Sequence, residues 1–420
     1  ANRPIGSYND DVLARAAFDT PAGLAVDAQG NAYVADTANH AVRKIGKDGK
    51  VSTLAGNGIL GSGDGAGDQA QFYAPSDVAV DSQGVVYVAD TLNHLIRKIS
   101  PDGKVSTLNA PSDRIIEYVP GAIETAGDFR DGTIASAKFN EPSGLAVDAN
   151  DNLYVSDRGN QRIRYIDFAA NKVTTVAGGG AYADKNAYFV AGDYADGAAG
   201  QARLNSPEGL AVAADGTVVF ADSLNHAVRL LKDGKVSTLA GVPVEPGASD
   251  GVTGSAQFNH PTDVTILKDG RLVIVDEFGN KVRVLQKYAK PSSLPADKGI
   301  AVVFNGALVK TEVPAQAKSN AVLLPLRDVG KALGYKVGYD KKTGHALLSK
   351  GDTAYAIAAG SASVTKTSGG ASSKLTLNAK ALSIDGRLLI PVRFFADESG
   401  LDVQWDAESK VVVIRDRTFL

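Results

Sequence analysis

Short runs of alternating apolar and polar residues fill the first two thirds of the chain. Gly23–Asp27, Ala32–Asp36, Ala41–Ile45 and Val51–Ala55 are rich in Val, Ile, Tyr, Leu and Ala, and Gly, Asn or Asp bound them. A period of two between turn residues predicts β-strands, here four in succession. The quartet then returns. Aligning Phe18 with Phe72, Phe139, Leu204 and Phe258 brings five copies into register. In each copy the second run closes on an aspartate: Asp36, Asp90, Asp157, Asp222 and Asp276. Seven positions later stands an arginine: Arg43, Arg97, Arg164, Arg229 and Arg283. Eight positions before each Phe or Leu lies another aspartate: Asp10, Asp64, Asp131, Asp196 and Asp250. The unit is constant and only the connectors vary in length.

Four-stranded antiparallel units repeated around an axis are the blades of a propeller. The stretch Tyr-Val-Ala-Asp-Thr-x-Asn-His-x-x-Arg of copies one and two resembles the NHL repeat. His94-Leu95 carries the signature literally, Asn39-His40 and Asn225-His226 follow it, and Asn160-Gln161 and Gly279-Asn280 diverge. The resemblance implies a mainly β chain with an NHL-type propeller over residues 1–288; such propellers are often six-bladed, but five units fill the length here, so five blades are expected, six being the alternative.

A Pro/Ser-rich linker follows, residues 289–299. Residues 300–415 carry their own duplication: Leu324-Pro-Leu-Arg327…Val337-Gly-Tyr-Asp340 returns as Ile390-Pro-Val-Arg393…Val403-Gln-Trp-Asp406. Proline at a helix's first turn and glycine beyond its last residue predict one helix per half, with strands after it. This segment resembles the copper amine oxidase N-terminal, or stalk, domain found in secreted proteins of Gram-positive bacteria, which implies a small α+β module. His345 is its single histidine, so no copper site is expected. Residues 416–420 form a tail.

Composition narrows the function. The 420 residues are 44% hydrophobic and 22% charged, with a formal charge of −3, which speaks against a nucleic-acid partner. No apolar run is long enough to span a membrane. Cysteine is absent, and with it disulfides and thiolate chemistry; methionine is absent too, leaving no sulfur to oxidise. A chain beginning Ala1-Asn2 fits removal of a signal peptide, and the expected location is extracellular or at the cell surface.

The five Asp/Arg pairs read as structural brackets, because a catalytic site on a repeat scaffold must break the repeat's symmetry. His40, His94 and His226 share one slot on separate blades, too far apart to hold one zinc ion. No cofactor, metal site or nucleophile motif is expected. Function is expected where the units differ, in the connectors Asn109–Arg130 and Gly179–Asp193, which should emerge on the same face. Their aromatic residues Tyr118, Tyr182, Tyr188 and Phe189, with the adjacent Tyr194, are the candidate binding residues for a protein or carbohydrate. The expectation is a non-enzymatic binding or scaffold protein; the alternative is a secreted lyase or hydrolase with an axial metal. Copy five lacks the fourth-strand run. Asn2–Tyr8, or the tail after Arg415 of a neighbouring subunit, is expected to complete it, the second route giving a homo-oligomer or filament.

Overall fold

A computed structural model describes residues 6–252, 254–287, 299–318, 321–406 and 409–416. The chain divides into two compact units: one holds the repeats and ends at Gln286, the other starts at Lys287 and includes Asp250–Val252. The expected linker 289–299 therefore lies outside the described residues except at its last position.

Each repeat forms an antiparallel sheet. Blade 1 runs Pro21–Val26, Ala32–Asp36, Ala41–Ile45 and Val51–Ala55 in spatial order. Blade 2 repeats this over residues 75–107. Blades 3 and 4, over residues 142–178 and 207–240, add a short fifth strand outside the fourth, Gly132–Thr133 and Gly197–Ala198, and among the described residues blade 5 has three strands over residues 261–285. The innermost strands neighbour one another in chain order. They approach closely: a Cβ at Gly144 would lie 2.4 Å from the Glu208 carbonyl oxygen, so only glycine fits.

Apolar cores sit between blades. Tyr33, Ala35 and Val42 of blade 1 pack on Val78, Val88 and Phe72 of blade 2. The junctions from blade 2 to 3, 3 to 4 and 4 to 5 repeat this with their own valines, leucines and phenylalanines. Each fully buried side chain of this size is worth about 1.5–3 kcal/mol.

The aspartate–arginine pairs sit within blades. Arg43 Nη1 donates to Asp36 at 2.7 Å, and its Nη2 donates to Asp10 at 2.5 Å and to the Asn9 carbonyl at 2.9 Å. Asp10 also accepts from Thr53 N at 2.9 Å on the outer strand. One buried guanidinium thus ties the incoming connector to the second, third and fourth strands. Arg97, Arg164 and Arg229 make the same bracket with Asp90 and Asp64, Asp157 and Asp131, and Asp222 and Asp196. In blade 5, Arg283 holds Asp276 at 3.0 Å and the Gln257 carbonyl at 2.9 Å. A charge this deeply buried is tolerable only when it is paired and hydrogen-bonded.

The histidine slot works between blades. A 3-10 turn such as Thr37–Asn39 leads into His40, and His40 Nδ1 accepts from Ala74 N of blade 2 at 3.2 Å. His94 accepts from Glu141 N at 3.0 Å and His226 from His260 N at 3.1 Å. In blade 3 the amide oxygen of Gln161 does the same for Ser206 N at 2.6 Å. All four donors have positive φ, between 46° and 61°, just before the proline that opens an innermost strand. A left-handed residue has its N–H turned out of the sheet ladder, and the latch satisfies it.

Blades 5 and 1 do not repeat this junction. Leu24 is 59% exposed, whereas its counterparts Val78, Leu145, Leu210 and Val264 are buried. On blade 5, Val282 is 69% exposed, against complete burial of Val42, Ile96, Ile163 and Val228. Among the described residues no apolar cluster joins these two blades. Of the segment Asn2–Tyr8 expected to complete blade 5, the described part lies on blade 1 instead. Asn2–Ile5 lie outside the described residues, but Ser7 N donates to Phe18 O and the Tyr8 hydroxyl bonds Thr53, both within blade 1. Further along, Val12 bridges Lys50 beside blade 1's own outer strand. Asp10 explains the preference, since its bonds to Arg43 and Thr53 hold the segment there.

The second unit holds two four-stranded sheets and one five-stranded sheet, with helices α1 (Leu326–Ala332) and α2 (Val392–Ser399). Ala321–Pro325 pairs antiparallel with Arg387–Pro391 such that Leu324 faces Ile390, its own counterpart in the duplication. The two halves therefore meet about a local two-fold axis. Leu326, Val329, Phe394 and Phe395 of the helices pack into one core with Tyr335, Tyr355 and Leu401. Asp416, expected in the tail, closes the last strand, Val411–Asp416; residues 417–420 lie outside the described residues.

Candidate interaction surface

Both long connectors build order of their own. In the first, Ile115–Val119 and Ala122–Thr125 form a two-stranded hairpin around Pro120-Gly121. A Pro-Gly pair suits the two central positions of a type II turn, where Gly121 takes φ 82°, and the register shift between Ala122 and Ile123 adjusts the strands to it. The second connector lies over the 3-10 turn of blade 3. Val190 N donates to Gly159 O at 2.8 Å, the Gln161 side chain donates to Val190 O at 3.1 Å, and Asn140 Nδ2 donates to Tyr188 O at 2.7 Å. The expectation that the connectors share a face with the Asn-His turns holds here.

Arg114 joins the two connectors. Its Nε donates to Gly127 O at 2.6 Å, Nη1 to Ala187 O at 2.8 Å and Nη2 to Tyr188 O at 3.1 Å. Its guanidinium carbon lies 4.0 Å from the centre of the Tyr182 ring. The Tyr188 hydroxyl donates to Glu124 on the hairpin, which raises its pKa to about 12. Two segments far apart in the chain, one before blade 3 and one after it, thus form one surface.

The candidate aromatics divide by orientation. Tyr118, Tyr188 and Phe189 are exposed, the last two with ring centroids 6.0 Å apart. Tyr182 turns inward: its hydroxyl donates to Asn160 at 2.7 Å, and burial raises its pKa to about 12. Tyr194 lies with its ring 4.7 Å from the Arg229 guanidinium and its hydroxyl 2.8 Å from Thr238. It belongs to the bracket of blade 4, as Tyr8 does in blade 1. The sequence reading missed Val119 and Ile123. Ile116 is fully buried, while Ile115, Val119 and Ile123 stand out on the hairpin, Ile123 at 68% exposed. The apolar/polar alternation around Pro120-Gly121 is the signal that would have found them.

The polar residues repeated in the blades are taken up by the brackets and latches. Asp36, Asp90, Asp157, Asp222 and Asp276 are fully buried and committed to arginine. Three of the histidines are engaged at Nδ1 by the next blade. Among the described residues no group of three or more metal-ligating side chains converges, and no helix is long and apolar enough to cross a membrane.

Comparison with known proteins matches this architecture. Residues 18–45, 72–99 and 139–164 match the NHL repeat, and residues 303–414 match the copper amine oxidase N-terminal domain. The chain is 32% identical to the chloroplastic protein SUPPRESSOR OF QUENCHING 1 of Arabidopsis thaliana over 292 residues, 67% of this chain and 26% of that one. It is 28% identical to human NHL repeat-containing protein 2 over 377 residues, 82% of this chain and 50% of that one. The chain thus spans between a quarter and half the length of these two relatives. Among solved structures, a virginiamycin B lyase of Staphylococcus aureus aligns at 14% identity and a TM-score of 0.37, covering 88% of this chain and 94% of that one. The chain carries NHL repeats folded as propeller blades, followed by a copper amine oxidase N-terminal domain.

Proposed function

We propose that this chain is a binding scaffold rather than an enzyme, and that a protein partner docks on the surface formed by its two long connectors. The observation that carries this reading is the joined surface itself. Arg114 fixes Tyr188 and Phe189 beside a hairpin whose Ile115, Val119 and Ile123 point outward. Exposed apolar side chains on a braced loop are costly unless something covers them. Aromatic residues fixed in place make good anchors because little rotamer freedom is lost on binding. The polar residues repeated in every blade are consumed by brackets and latches, so the unrepeated surface is where specificity resides. A place of action outside the cell belongs to the same proposal and is supported by the lack of cysteine and methionine.

Site-specific photocrosslinking tests this reading. A photoreactive residue at position 123 should trap one defined partner in the native culture, and the same probe at exposed Lys172 should not. Equal, heterogeneous labelling from both positions would remove the reading.

A further inference from the structure

We infer that the C-terminal unit carries a second, duplicated binding site that takes extended peptides by strand addition, with an arginine reading an acidic side chain. The observation is a pair of clefts related by the local two-fold. One is lined by Arg393 of α2 and by Leu401 through Trp405. The other, about 450 Å³ in volume, is lined by Arg327 of α1 and by Val337, Gly338 and Tyr339. Arg393 and Arg327, Val403 and Val337, and Trp405 and Tyr339 each occupy equivalent positions of the duplication.

Three features give the ligand's chemistry. First, successive side chains of a strand point to opposite faces, so a cleft lined by consecutive residues runs along the strand's edge rather than over a face. Both strands, Leu401–Asp406 and Lys336–Asp340, are edge strands of their sheets, paired on one side only. The opposite walls are also sheet margins: Gln316–Lys318 in the first cleft and Leu382–Ile384 in the second are edge strands. An edge offers a row of backbone donors and acceptors that an extended chain matches. Second, Arg327 and Arg393 are exposed and make no ion pair or hydrogen bond with any described residue. An arginine kept at one place in both halves, and absent from the internal bonding of each, is suited to a carboxylate, which it binds in bidentate fashion. Third, Trp405 and Tyr339 stand exposed beside it and offer apolar contact to the residue next to the acid. The occupant is therefore an extended peptide with an aspartate or glutamate between apolar residues. This site is independent of the connector surface, and either can fail without the other.

The test is selection from a phage-displayed random dodecapeptide library against the whole chain. The enriched peptides should alternate apolar residues around an Asp or Glu and bind at least tenfold more weakly to the double variant R327A/R393A, whose melting temperature should equal that of the wild type. N-methylation of such a peptide should abolish binding at every second residue and be tolerated between, since only alternate N–H groups face the edge. Replacing the peptide's acid by its amide should lose the dependence on arginine. Three results would overturn the inference: no enrichment, affinity unchanged in the double variant, or N-methylation without the period of two. Displacement of the peptides by polygalacturonate, an acidic oligosaccharide, at equal or lower concentration would overturn it as well.

Discussion

Histidine and glutamine fill one slot in this repeat because both present a hydrogen-bond acceptor at the same height. Gln161 does for blade 3 what His40, His94 and His226 do for their own blades. The difference lies in titration. Burial lowers the pKa of His94 and of His226, and a ring that accepts at Nδ1 has its proton on Nε2. A histidine with a depressed folded pKa contributes stability that is complete above the unfolded value and is lost as pH falls through the folded one. The latches' contribution to stability should therefore decline as pH falls below about 6.5, against the opposite contribution of Asp90, Asp222 and Asp263, whose pKa burial raises to about 6. The double variant H94Q/H226Q should keep the latches and lose much of that slope, while H94A should leave the Glu141 N–H unpaired and cost about 1–3 kcal/mol at neutral pH. An unchanged pH slope in the glutamine variant would show that the latches are not the acid-sensitive elements. The slot itself was legible in sequence, and its spread over separate blades spoke against a metal. The latch was illegible because its donor is a main-chain N–H of the next blade, which leaves no side-chain pattern. The Asp36–Arg43 type of pair was legible from its fivefold spacing. The role of Asp10 needed the fold, which brings it to Arg43 and Thr53 from a separate part of the chain.

At the scale of elements, strands were the most legible feature, because a period of two with turn residues survives in every copy. The hairpin in the first connector went unread, although the alternation flanking Pro120-Gly121 encodes it. Its packing on the second connector is set by Arg114, whose three main-chain acceptors have no sequence signature. Arg114→Ala should uncouple the connectors without unfolding the blades. Amide exchange of Ala187–Val190 and of the hairpin should speed up at least tenfold, while the innermost strands keep their protection. Uniform acceleration across blades 2 and 3 would mean that Arg114 supports the scaffold itself. Tyr182 belongs to the same clamp, so its replacement would report on the brace and not on binding.

At the scale of the molecule, the count of five blades was legible and the open junction was not. Repeat statistics give the number of units, whereas burial at the first and last unit depends on whether the ends meet. Leu24 and Val282 look like every other junction residue in sequence, yet both are exposed. Val282→Ser should change unfolding free energy by less than about 0.5 kcal/mol, while Val228→Ser at the equivalent closed junction should cost more than about 2 kcal/mol. Equal costs in chemical denaturation would show that the junction is covered in solution.

The central claim is that recognition resides in the joined connectors. The most direct measurement is the affinity of the partner trapped from position 123, determined by calorimetry for the wild-type chain and for a chain with residues 115–125 replaced by a short Gly-Ser turn. The account predicts at least a hundredfold weaker binding with a melting temperature within a few degrees of the wild type. Full affinity in the shortened chain would contradict it.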